Sequence, residues 1–128
     1  MSYVFSKTLN LPFDETVAKT REVLGAEGFG VITEIDVQKT LKTKIDVDFR
    51  RYLILGACNP SLAYEALKLE ANVGAMLPCN VVVQEASDGR TEVSAIDPVA
   101  SMQAIDNPAL MAKATAVADK LRAAIGRL

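Results

Sequence analysis

Val81-Val82-Val83-Gln84-Glu85-Ala86, then Ser87-Asp88-Gly89-Arg90, then Thr91-Glu92-Val93-Ser94-Ala95-Ile96: these consecutive segments decide the fold. The first and third read as strands, and the Asp88-Gly89 between them is the dipeptide of a tight hairpin. A hairpin is antiparallel by construction. Whatever sheet this chain builds therefore has antiparallel pairing at its heart.

Working outward, Tyr3–Leu9 alternates weakly and reads as a first strand. Pro12 opens a helix whose positions Phe13, Val17, Thr20 and Leu24 share one face, with Asp14 and Glu15 in its favourable first turn. Gly28 or Gly30 stops it. Val31–Ile35 is a second strand, and Val37, Leu41 and Ile45 mark a short amphipathic helix. Arg51–Cys58 is a turn-bounded apolar run and predicts a central strand buried on both faces.

Asn59-Pro60 predicts a helix start: asparagine caps the free N–H groups, and proline gives up a donor that had no partner. The helix is expected to bury Leu62, Ala66, Leu69 and Val73. Asn107-Pro108 repeats the device before a last helix with the stripe Leu110, Ala114, Val117, Leu121, Ile125 and Leu128. Asp97-Pro98 reads as a strand end followed by a turn. The order is strand, helix, strand, short helix, strand, helix, strand, strand, helix. That is an α+β domain over residues 1–128, a mainly antiparallel sheet with helices packed on one face.

Composition narrows the chemistry. Fourteen basic and sixteen acidic residues leave a net charge of −2, so no global field draws the chain to nucleic acid or an anionic membrane. There is no apolar run long enough for a spanning helix and no basic-then-apolar start typical of a secretory signal. A cytoplasmic setting, where thiols stay reduced, is the expectation. The cluster Lys39, Lys42, Lys44, Arg50 and Arg51 is interleaved with Asp46 and Asp48 and reads as a solvated face. Gly25, Gly28 and Gly30 surround a helix end and lack the Gly-Lys-Ser/Thr of a phosphate loop.

The chain has no histidine, which excludes Ser/His/Asp and Cys/His catalysis within one copy. Its two cysteines, Cys58 and Cys79, are each followed by an asparagine where a strand meets a connection. Whether they meet depends on chain path. A helix running back from Pro60 would carry the next strand to the far end of the sheet. Seven residues, Asn72 to Pro78, can equally span about 23 Å and return Cys79 to the Cys58 end. Both paths stay open at this stage. Free thiols commonly serve as small core hydrophobes. The functional alternative sets Cys58, just before a helix cap, as a thiolate nucleophile with Cys79 resolving, or as a soft-metal ligand. Two cysteines are too few for a closed zinc site, so no metal site and no cofactor is assigned.

Residues 52–60 (Tyr-Leu-Ile-Leu-Gly-Ala-Cys-Asn-Pro), 77–83 (Leu-Pro-Cys-Asn-Val-Val-Val), Glu85 and Asp97-Pro98 together resemble the bacterial family called domain of unknown function 302. The likeness runs from Phe5 through the last helix. It implies a TATA-binding-protein-like fold (β-α-β4-α with an extra helix), often dimeric. It implies no activity.

From these residues the expected function is ligand binding by a homodimer, with binding favoured over catalysis. The cleft would be formed by Cys58, Asn59, Pro78, Cys79, Asn80 and Asp97, because binding groups concentrate on connections. Thiol redox or soft-metal chemistry, and a protein-interaction module, are the alternatives. Partners are expected to be a second copy and a small molecule, not nucleic acid or membrane. Valines on both faces of Val81–Val83 leave one sheet face to be covered, and a second copy is the simplest cover.

Overall fold

The hairpin forms as its sequence demands. In the computed structural model, which describes residues 2–128 (at residue 88 the backbone alone), β4 (Cys79–Glu85) and β5 (Thr91–Ile96) pair antiparallel, Val81 opposite Ala95 and Val83 opposite Val93. Gly89 takes the left-handed conformation at φ 71°, which a glycine adopts without steric cost. β1 (Val4–Leu9) adds to β5, β3 (Tyr52–Cys58) to β4, and β2 (Gly30–Asp36) to β3. The result is one five-stranded sheet in the order β1-β5-β4-β3-β2, antiparallel throughout, with helices on one face. The fold is α+β.

Among the described residues there are five α-helices: α1 (Phe13–Ala26), α2 (Val37–Ile45), α3 (Pro60–Leu69), α4 (Pro98–Ser101) and α5 (Pro108–Gly126). The predicted caps are made. Asn59 Oδ1 accepts from Leu62 N at 3.2 Å, and Asn107 Oδ1 from Leu110 N at 3.1 Å. Asp97 does the same for Val99 N at 3.0 Å, so the expected turn is a full helical turn, α4. α1 ends as a Schellman motif. Gly28, at φ 85°, lets its own N–H reach Gly25 O at 3.0 Å and that of Phe29 reach Leu24 O at 2.9 Å.

α3 is shorter than its sequence suggests. It ends at Leu69, and Val73 is buried from a separate 3-10 turn, Ala71–Met76. Asn72 and Gly74 are poor helix formers, and the 3-10 turn redirects the chain toward the start of β4. β3 also differs from expectation: Leu53, Leu55 and Ala57 are buried, but Tyr52 and Ile54 on its other face are only half-buried. The reason is one-sided packing, since α1 and α5 cover a single face. No helix among the described residues is long and apolar enough to cross a membrane.

Two hydrophobic clusters result. The larger joins Leu55, Val81, Val83, Val93 and Ala95 of the sheet to Leu24 of α1 and Leu121 of α5. The smaller lies beyond the sheet end, where Ala66 of α3, Val73, Met102, Leu110 and Ala114 meet.

One glycine in β3 is required by close approach. A Cβ at Gly56 would overlap Thr33 Oγ1 and stand 2.7 Å from Pro78 Cγ. Gly56→Ala is expected to lower stability by about 1–3 kcal/mol, as overpacking of a filled site does. Adding Thr33→Ala is expected to recover part of the loss. Urea unfolding of the single and double variants measures both effects.

Candidate functional site

The sheet register answers the question left open by spacing. β3 and β4 run antiparallel with Ala57 opposite Cys79, so the chain returns Cys79 to the end where Cys58 leaves the sheet. The 3-10 turn Ala71–Met76 makes that return. At this end α3 departs from β3 while α4 and the first half of α5 pass over it.

Between them lies a cavity of about 330 Å³. Its wall is apolar almost throughout: Phe29 before β2, Leu77 before β4, Met102 after α4, and Leu110 and Val117 from α5 are among its residues. Cys58, Asn59, Pro78 and Cys79 line it too. The cavity occupies the seam between the two hydrophobic clusters. Its wall takes Ala57 and Cys79 from the larger and Ala66, Met102, Leu110 and Ala114 from the smaller. Ile32 and Leu67 line it while remaining 62% and 44% exposed, so they stand where it opens to solvent.

Each polar group has a definite situation. Asn59 uses Oδ1 for the α3 cap, and its Nδ2 lies 3.1 Å from where a Cβ of Gly28 would stand. Both cysteines are free; Cys58 is half-buried and Cys79 buried. Burial first, and the charge of the neighbouring Cys58 second, push the Cys79 thiol from 9.0 up to about 11. Cys79 is therefore a protonated thiol at neutral pH. Among the described residues no group of three or more His, Cys, Asp or Glu side chains is placed to hold a metal ion.

Four of the six residues read from the sequence thus share the cavity wall. The other two stand elsewhere. Asn80 lies opposite Gly56 and is exposed on the sheet, and Asp97 is occupied as the cap of α4. Residues that spacing did not bring to the site are Phe29, Leu77, Met102, Leu110 and Lys113. Leu110 belongs to the legible stripe of α5. The lining role of Lys113, next to that stripe, depends on how α5 sits over the sheet end.

The Cys79 shift carries a pH dependence whose sign is fixed. Its raised folded value favours the folded state fully below about pH 9, and that contribution is lost as pH rises to about 11. Between about pH 8.5 and 10.5 wild-type protein is expected to lose about 2 kcal/mol more stability than Cys79→Ala. Denaturant unfolding across that range measures the difference; parallel curves would refute it.

Comparison with known proteins locates the chain. No curated protein matches it. A solved structure described as "uncharacterized conserved protein DUF302 from Bacillus stearothermophilus" is 30% identical, superposes with a TM-score of 0.91, and covers 99% of this chain and 98% of its own. Residues 5–128 match the family described as "Domain of unknown function DUF302". The chain belongs to the DUF302 family.

Proposed function

We propose that this protein binds a small, largely apolar molecule in the cavity at the Cys58–Cys79 end of the sheet, and that it does so as a homodimer. The cavity itself carries the reading. Its volume of about 330 Å³ falls within the range of about 300–1,000 Å³ typical of small-molecule sites. A void of about 150 Å³ lined by aliphatic side chains stays dry and takes a benzene. Twice that space accommodates an acyl chain or a fused ring pair. Native cores are packed to the density of organic crystals, and a gap of this size between two otherwise filled clusters is best explained by an occupant. The thiols of Cys58 and Cys79 serve in this reading as soft, compact parts of the wall.

The test uses the neutral fluorophore N-phenyl-1-naphthylamine. It is expected to bind one per chain with enhanced emission and to raise the melting temperature, since a ligand that binds only the folded state stabilises it. Ala63→Phe, which puts a ring into the cavity from a half-buried position of α3, is expected to abolish binding while leaving the protein folded. Wild-type protein that neither binds the probe nor gains melting temperature would refute the reading.

The dimer is supported by the sheet face that no helix covers. Ile35, Ile54 and Val82 stand side by side there across β2, β3 and β4, with Ile35 50% exposed. A contiguous apolar row on an uncovered sheet face is the ordinary sign of an interface, and a two-fold contact between identical faces is the commonest kind. Light scattering at micromolar concentration is expected to give twice the chain mass of 13.7 kDa. Ile54→Asp is expected to return that mass to a single chain.

A further inference from the structure

The cavity wall contains one charged residue among those described, Lys113 of α5. The side chain is half-buried, and it makes no ion pair among the described residues, whereas Lys42 and Lys68 are both paired with carboxylates. A lysine in such a wall lays its four-carbon stem along the apolar surface and carries its ammonium to the watered edge. It therefore adds one cation to the boundary of a space that is otherwise hydrocarbon-like. An unpaired carboxylate entering such a space is strongly disfavoured. A carboxylate meeting a lysine at the edge, with its hydrocarbon body inside, is favoured by a charge-assisted hydrogen bond. The neutral wall by itself prefers neutral ligands, and Lys113 reverses that preference for one class.

We propose that the cavity is selective for small amphipathic monocarboxylates, the hydrocarbon body lodged among Phe29, Leu77, Met102 and Leu110 and the carboxylate held by Lys113. The inference rests on the cavity being a ligand site, and names the class of ligand.

Octanoate and 1-octanol share a chain length and differ in the headgroup, so they separate the two ideas. Calorimetric titration of the full chain is expected to give octanoate the lower dissociation constant, by about tenfold. That advantage is expected to shrink as salt is added. Lys113→Met is expected to remove it by weakening octanoate alone, with 1-octanol unchanged; Lys113→Arg is expected to keep it. Binding of 1-octanol as tight as octanoate, or a preference that survives Lys113→Met, overturns the carboxylate assignment and leaves the cavity as a ligand site. No binding of either compound by wild-type protein overturns both. Retention of 1-octanol binding by Lys113→Met shows that the variant is folded, so its result is interpretable.

Discussion

The fold depends on α5 serving two hydrophobic clusters at once. A helix of 19 residues is about 28 Å long, whereas strands of 6 or 7 residues span about 20 Å. The second half of α5 seats Leu121, Ala124 and Ile125 against the sheet, while Leu110 and Ala114 of its first half reach the smaller cluster beyond the sheet end. One rigid rod thus spans two packing surfaces that do not quite meet. The cavity is the seam between them.

Polar accounting shows why that seam is apolar. Helix starts at Asn59, Asp97 and Asn107 satisfy their own orphan donors, and Asn107 also donates Nδ2 to Leu69 O at 2.9 Å, tying the start of α5 to the end of α3. The buried threonines bond to backbone: Thr20 donates to Thr16 O at 2.7 Å and Thr91 to Leu11 O at 2.8 Å. Among the described residues no buried side-chain nitrogen or oxygen is left without a partner. An apolar space with no polar group demanding water is one that hydrocarbon fills better than water does. Lys113 is the one charged residue at its wall among those described.

Membership in the DUF302 family and the near-complete superposition on a solved member establish the architecture. Function has to come from the site, because a fold supports unrelated functions. Here Cys79, the resolving thiol of the redox alternative, is buried in the cavity wall. Desolvation keeps Cys79 protonated, and its place opposite Ala57 in the sheet explains the desolvation. A thiol turned into the helix-covered face packs as a small hydrophobe.

Much of the architecture was legible in local chemistry. Asp88-Gly89 between two strand-forming runs could hardly be anything but a hairpin, and Asn59-Pro60 and Asn107-Pro108 announced helix starts because capping is a contest among neighbouring atoms. The α1 stop was readable for the same reason: Gly28 relieves a backbone conformation decided within one turn. The limits of local reading appear at α3, where extrapolated periodicity overran Leu69, and at β3, where an apolar run did not reveal that only one face would be covered. The site was legible in part. Four of its residues stood out because thiols, amides and prolines gathered on connections, whereas the lining from Phe29, Met102 and Lys113 comes from positions 11 to 84 apart in the chain. Whether Cys79 returned to Cys58 was undecidable from spacing, since a seven-residue connection reaches either end of a sheet. Only the antiparallel register of β4 on β3, fixed by which side chains face the helices, brought the thiols to one wall and left a space between two cores for Lys113 to border.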